Sequence, residues 1–254
     1  MQYKASVAYS RRVAESKPAR AARAKRIVRA LDRAYPDVRT ALAFTNPFEL
    51  LVATILSAQS TDATVNRVTP ELFRAYPTPE KLAAAEPADV ERLVHATGFF
   101  RQKTKSIQAT ARDLAERFGG RVPATLDELV TLRGVARKTA NVVLGNAFGV
   151  PGIAVDTHMI RVNQRLALTA HEDPVRIEAD LMELVPRDHW TRYTNQVIHH
   201  GRVCCVARRP LCAECPDEAD CPKLGVDVAP APRAKRSAKA PAKRSPARAR
   251  RART

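Results

Sequence analysis

Apolar residues recur at helical spacing along most of this chain, and long alternating strand patterns are absent. Repeats at i, i+3, i+4 and i+7 predict amphipathic helices. Asn46 precedes Pro47 at the start of one such pattern, and Gly119 follows the end of another, so these helices also carry start and stop signals. The longest predicted helices span about residues 19–35, 47–56, 62–75, 102–118, 137–148, 174–185 and 190–203. The pattern therefore predicts an all-α protein.

The stretch from Thr131 to His158 contains a tight turn between two of these helices. The turn comprises Leu132, Arg133, Gly134 and Val135, because Gly134 can adopt a positive φ without a Cβ clash. The turn and the Ala136 that follows it leave backbone N–H groups free at the start of a helix, an arrangement that suits a phosphate group.

Two side chains in this stretch have candidate chemistry. Lys138 lies in the first turn of its helix, where the helix dipole disfavours a cation, so the lysine loses its proton more easily and can act as an amine nucleophile. The alternative is a solvated lysine at an exposed helix end. Asp156 precedes Thr157 at the predicted start of the next helix, where its minimal role is that of an N-cap.

The net charge of +17 is concentrated at the two ends of the chain. Residues 1–26 carry +7 and residues 227–254 carry +9, which leaves +1 for the 200 residues between them. Polycationic ends are typical of nucleic-acid-binding arms, and the alternative is solubilising tails. The chain has no apolar run long enough to span a membrane and no apolar core of a secretory signal, so we expect a cytoplasmic protein; an organelle transit peptide is a weaker alternative.

Four of the five cysteines form a compact group, Cys205-x6-Cys212-x2-Cys215-x5-Cys221. This spacing is too short for a globular disulfide framework, so it predicts a metal centre. Four thiolates suit either zinc or an iron–sulfur cluster, and the spacing alone leaves both open. Cys204 is left over, either as a rival ligand or as a buried thiol.

The string L-x-G-V-x-R-K-T-A-N-V-V at residues 132–143, followed by V-D-T-H at 155–158, resembles the helix-hairpin-helix DNA glycosylases of the endonuclease III type. The resemblance extends over about residues 27–223 and includes the string LSAQ-x-T-D at 56–62. Two positions depart from the family pattern. Arg133 stands where proline is usual, and Ala136 stands where glycine is usual, so Ala136 would be strained if its backbone were left-handed.

The resemblance implies a two-lobed, all-α fold with a 4Fe–4S cluster loop. We expect residues 40–150 to form a helical barrel with the hairpin at about 125–148, and 27–39 with 151–225 to form the cluster lobe. Residues 1–26 and 226–254 are expected to be disordered basic arms. Cys205, Cys212, Cys215 and Cys221 would then be the cluster ligands.

The resemblance also implies roles for single residues. Gln59 would fill the gap left by an extruded nucleotide, and Phe99 would enter the duplex opposite the lesion, although buried core is an equal expectation for this ring. His158 would lie near the base pocket, and turn residues 133–136 would contact DNA.

The activity implied is that of a monomeric, bifunctional enzyme that acts on damaged double-stranded DNA. It would remove oxidised pyrimidines and then nick the strand by β-elimination through a Schiff base on Lys138, with Asp156 stabilising the positive sugar. Two alternatives are an adenine-mismatch glycosylase of the same superfamily and a non-catalytic DNA-binding protein on the same scaffold.

Overall fold

The computed structural model describes residues 15–226, and this part of the chain is helical without strands. Of the predicted arms at 1–26 and 226–254, residues 1–14 and 227–254 lie outside the described residues. No helix in the described part is both long and apolar enough to cross a membrane. The α-helices in chain order are α1 Lys17–Ala34, α2 Pro47–Leu56, α3 Asp62–Ala75, α4 Pro79–Ala83, α5 Pro87–Val94, α6 Phe100–Phe118, α7 Leu126–Leu129, α8 Arg137–Ala147, α9 Thr157–Arg165, α10 Pro174–Leu184 and α11 Trp190–Val203.

The helices pack around two separate apolar cores, which confirms the predicted all-α, two-lobed fold. The first core is formed by buried side chains between Leu42 and Leu144. The second combines residues 24–31 of α1 with buried residues between Ile153 and Val197, which lie on α9 to α11 and on the segments beside them, so the N-terminal helix packs against the C-terminal half of the chain. The chain passes from the first core to the second through residues 149–156, between α8 and α9.

Helix α1 begins at Lys17, within two residues of the predicted start at 19. It includes residues 17–26, so the expectation that the basic arm extends in disorder to residue 26 is wrong for these residues. Ser16 accepts a hydrogen bond from the Ala19 N–H as N-cap, and Pro18 occupies the first turn. The guanidinium of Arg23 is buried and donates to the carbonyls of Leu166 and Asp220 in the second lobe. Arg23 therefore contributes to the packing between α1 and the second lobe. The run of basic residues along the chain did not indicate this buried contact.

Candidate active site

The predicted turn before α8 is a tight hairpin held against α6. Gly134 has φ +86°, which confirms the predicted positive φ, and a Cβ on it would lie 3.3 Å from the Ser106 Cβ. The Asp113 carboxylate accepts hydrogen bonds from the Arg133 backbone N–H at 2.8 Å and from its guanidinium at 2.7 Å. The Arg133 side chain, which replaces the usual proline, is thus an anchor for the turn.

Ala136 is the N-cap residue of α8, and its backbone is extended rather than left-handed. Its φ is −85° and its ψ is 164°, so alanine is accommodated without the strain that the sequence left open. No side chain of the described residues caps this helix start. The first-turn N–H groups of α8 are therefore available to an anion.

Lys138 and Asp156 line the same cleft between the two lobes. Lys138 is exposed in the first turn of α8, a helix that buries Ala140 and Leu144 in the first core. Asp156 is the N-cap of α9, where its Oδ1 accepts the Met159 N–H at 2.8 Å, and this confirms the predicted cap. The cleft thus brings together an amine and a carboxylate from helix starts in different lobes.

The cleft has a volume of about 600 Å³, which is within the range of small-molecule sites. Gln59 lies on its wall, exposed and in a left-handed conformation with φ +54°. On the opposite lobe Arg202 lines the cleft and pairs with Asp62 at 2.7 Å, an ion pair that joins the lobes.

His158 also lines the cleft, and Arg161 fixes its ring. The Arg161 guanidinium lies 3.1 Å from the Nδ1 of His158 and donates to the Gly201 carbonyl at 2.7 Å. Burial lowers the pKa of His158, Asp156 opposes this effect, and Arg161 lowers the pKa further. Arg161 and Gly201 thus hold the His158 ring at the wall of the cleft.

Phe99 lies outside both cores, so burial in the core is excluded for this ring. Its side chain is 68% exposed, and its φ of +47° places it in the left-handed region just before α6. The neighbouring Phe100 packs partly against the first core and lies 4.5 Å from the His95 ring centroid. The two rings therefore differ, with Phe99 presented to solvent and Phe100 anchoring the helix.

The four predicted cysteine ligands, Cys205, Cys212, Cys215 and Cys221, line one cavity at the end of the second lobe. Cys204 is buried beside them, and its sulfur lies within 4.8 Å of ligand atoms of His200 and Cys215. Cys204 is therefore close enough to the predicted ligands to compete with them for a metal.

The surroundings of these thiols fit a metal centre with thiolate ligands. Burial raises the pKa of the Cys215 and Cys221 thiols, so their anionic form needs a cation as compensation. Donors already point at the sulfurs, with Arg165 Nη1 at 3.3 Å from Cys205 Sγ and the Lys223 N–H at 3.4 Å from Cys221 Sγ. Such outer contacts are typical of sulfur ligands in metal sites.

Glu178 on α10 was missed by the sequence analysis, although it contacts the helix that carries Lys138. Its carboxylate is buried and accepts from Arg137 Nε at 2.8 Å and from Asn141 Nδ2 at 3.1 Å. Asn141 also donates to the Ile153 carbonyl at 2.9 Å. No local pattern indicates these contacts, because the partners lie 37 to 41 residues apart.

Comparisons with known proteins agree with this arrangement. Residues 52–187 match the HhH-GPD superfamily of base excision DNA repair proteins. Endonuclease III of Synechocystis sp. is 51% identical over 201 residues, which cover 79% of this chain and 92% of that protein. A non-covalent endonuclease III–DNA complex superposes with TM-score 0.73 at 41% identity, over 77% of this chain and 92% of the other. A trapped endonuclease III–DNA covalent intermediate gives TM-score 0.73 at 41% identity, over 76% and 92%. The chain therefore belongs to the endonuclease III family of the HhH-GPD superfamily of base excision DNA repair proteins.

Proposed function

We propose that this protein excises oxidised pyrimidines from duplex DNA and cleaves the strand at the resulting abasic site, with Lys138 as nucleophile and Asp156 as its electrostatic partner. The observation that carries the proposal is that Lys138 and Asp156 line one cleft from the starts of helices in different lobes. Relatives solved on DNA, one of them as a covalent intermediate, support DNA as the partner.

In the proposed reaction the damaged nucleotide first leaves the base stack and enters the cleft. The neutral Lys138 Nζ attacks C1′, and the bond between C1′ and the base breaks with its electron pair leaving on the base. Opening of the sugar ring gives a protonated Schiff base between Nζ and C1′. The C2′ proton is then lost to solvent, its electron pair forms a C2′–C3′ double bond, and the 3′ phosphate leaves with the electrons of the C3′–O bond. The Asp156 carboxylate stabilises the positive charge on the sugar and accepts the proton that Nζ releases.

The remaining site residues hold the DNA in this proposal. Within the turn, Gly134 and Ala136 offer their backbone N–H groups to a phosphate, together with the first turn of α8. The Arg133 and Val135 N–H groups are already bonded to Asp113 and Leu132, so these two residues shape the turn. Gln59 fills the space vacated by the nucleotide, and Phe99 enters the stack on the opposite strand. The ring of His158 contacts the DNA in the cleft.

The cysteine loop has a supporting role. Cys205, Cys212, Cys215 and Cys221 would hold a 4Fe–4S cluster, which when bound cross-links the loop. Arg208 is exposed on this loop, so the cross-link would keep its guanidinium in place for a DNA phosphate.

Borohydride trapping on DNA with an abasic site tests the nucleophile. Borohydride reduces a Schiff base to a stable amine, so the wild-type protein should become covalently attached to the DNA. Lys138→Gln should abolish the adduct, whereas Lys105→Gln, an exposed lysine on α6 outside the cleft, should trap like the wild type. Undiminished trapping by Lys138→Gln would overturn the assignment.

Asp156→Asn tests the carboxylate without removing the cap, because asparagine is an equally good N-cap residue. We expect the single-turnover rate to fall roughly a hundredfold, the scale of losing one preorganised electrostatic contact, with the Kd for DNA nearly unchanged. An equal loss of binding and rate would show that Asp156 is mainly structural.

The substrate class is tested with three duplexes under identical conditions. They carry thymine glycol, an abasic site, or adenine opposite 8-oxoguanine. Release of thymine glycol with strand nicking supports the proposal. Excision of adenine alone would instead favour the mismatch branch of the superfamily, and binding without excision on any duplex would favour a non-catalytic DNA-binding protein.

A further inference from the structure

The carbonyl oxygen of Thr97 joins two loops that are distant in the sequence. It accepts a hydrogen bond from Ser60 Oγ at 2.5 Å and another from Lys103 Nζ at 2.7 Å. Ser60 directly follows Gln59, and the Lys103 backbone N–H donates to the Phe99 carbonyl at 3.0 Å. A carbonyl oxygen has two lone pairs, so both are in use here. The loop of Gln59 and the loop of Phe99 are therefore connected through one atom.

Both loops adopt backbone conformations that side-chain-bearing residues rarely take. Gln59 has φ +54° and Phe99 has φ +47°, and Gly98 between Thr97 and Phe99 has φ +67°. Such conformations persist only where surrounding contacts determine them. Since Gln59 and Phe99 are themselves exposed, the contacts that hold them must come from neighbouring buried groups.

Lys103 is such a group, and its burial is unusual for a lysine. Its side chain is 5% exposed, and burial lowers the pKa of its ammonium below the ordinary value. Among residues 15–226 no carboxylate pairs with its Nζ, which donates to Thr97. An ammonium withdrawn from water is costly unless it is hydrogen-bonded. Its amine is also buried against a carbonyl, so it is not a second nucleophile.

We infer that Lys103 and Ser60 are positioning residues that couple the Gln59 and Phe99 loops through the Thr97 carbonyl, so that both side chains enter the DNA as one unit. This inference rests on the proposed function, in which Gln59 and Phe99 occupy the two strands of the disrupted base pair. Insertion of Gln59 or Phe99 without the other side chain would leave an unfilled gap in the base stack. A shared anchor fixes the distance between the two loops before DNA binds.

The test uses the full chain and a duplex with tetrahydrofuran, an abasic analogue that cannot form a Schiff base, placed opposite 2-aminopurine. The fluorescence of 2-aminopurine rises when the base leaves the stack, so the signal reports wedge insertion independently of chemistry. Lys103→Met removes the donor and preserves an apolar side chain of similar length. Lys105→Met, two residues along α6 and exposed, is the matched control.

We expect wild type and Lys105→Met to give the same fluorescence rise, and Phe99→Ala to give almost none. Lys103→Met should shift the stacked–unstacked equilibrium about tenfold toward the stacked base, the effect of losing roughly one charge-assisted hydrogen bond. Ser60→Ala, a smaller change at a half-buried site, should shift it in the same direction and keeps the inference testable if Lys103→Met fails to fold. The inference would be overturned if Ser60→Ala, and Lys103→Met where it folds, gave the same rise in 2-aminopurine fluorescence as the wild type. Failure of the proposed function is separate, since it would appear as absent borohydride trapping in the wild type.

Discussion

Removal of the Glu178 carboxylate should loosen the helix that carries Lys138. Glu178→Ala deletes three hydrogen bonds, two from the Arg137 guanidinium at 2.8 and 3.0 Å and one from Asn141 at 3.1 Å. Breaking a fully buried ion pair costs about 3–5 kcal/mol because the remaining charge stays unsolvated. The Arg137 side chain is 47% exposed and regains water, so the expected loss is lower, about 2–3 kcal/mol.

The same substitution should slow Schiff-base formation. Arg137 and Asn141 flank Lys138 on α8, so their release from Glu178 allows the amine to move relative to Asp156. We expect the single-turnover trapping rate to fall roughly tenfold or more, because a displacement of a reacting group on the order of 1 Å lowers the reaction rate by such factors. Glu183 is an exposed glutamate on the same helix α10, so Glu183→Ala is the control. It should change neither the free energy of unfolding nor the trapping rate.

Urea unfolding and borohydride trapping under single-turnover conditions measure the two effects. Arg137→Ala and the double variant with Glu178→Ala complete a double-mutant cycle, which isolates the coupling between the two side chains. If Glu178→Ala changes the free energy of unfolding by less than about 0.5 kcal/mol, the predicted loss is refuted. A change that small is typical of exposed surface residues and not of a buried ion pair. A trapping rate equal to the wild type would refute the positional link to Lys138.

Three further predictions concern other parts of the molecule. Gly134→Ala should lower the free energy of unfolding by roughly 1–2 kcal/mol, measured by thermal unfolding. Gly149→Ala is the control and should cost less, because φ is positive there too but the added Cβ would meet no atom within 4 Å. Purified protein should contain iron and sulfide; Cys212→Ser should lose them and Cys204→Ser should keep them, and zinc without iron in the wild type would contradict the cluster. Truncation after Val226 removes ten basic residues and one acid; if half of the charges engage DNA, the slope of log K against log salt should flatten by roughly 4, whereas an identical slope would show that the tail does not contact DNA.

The sequence predicted those features that depend on residues close together in the chain. The Asp156 cap and the positive φ of Gly134 each follow from a local pattern, and the structure confirms both. The amphipathic spacing also predicted most helices within a few residues of their ends. The expectation of disorder for residues 17–26 was wrong because charge was weighed more heavily than the capping signal of Ser16 and Pro18.

Features that depend on contacts between distant segments were not predictable in the same way. Lys103 is an ordinary basic residue in an amphipathic pattern until the fold buries its amine against Thr97. Glu178 likewise falls on a helix that predicts only packing, and its role depends on where α10 meets α8. For Phe99 the sequence left core and wedge open, and only its exposure in the structure excludes the core.

Several polar contacts join the two lobes, outside the two apolar cores. Asn195 donates to Asn146 at 2.9 Å, Arg202 pairs with Asp62 at 2.7 Å, and Glu178 holds the start of α8. Hydrogen bonds of this kind fix direction but add less stability than apolar burial, so the lobes can adjust without disrupting either core. Because Lys138 belongs to one lobe and Asp156 to the other, the distance between amine and carboxylate depends on this polar interface. A substrate that contacts both lobes can therefore set that distance when it binds.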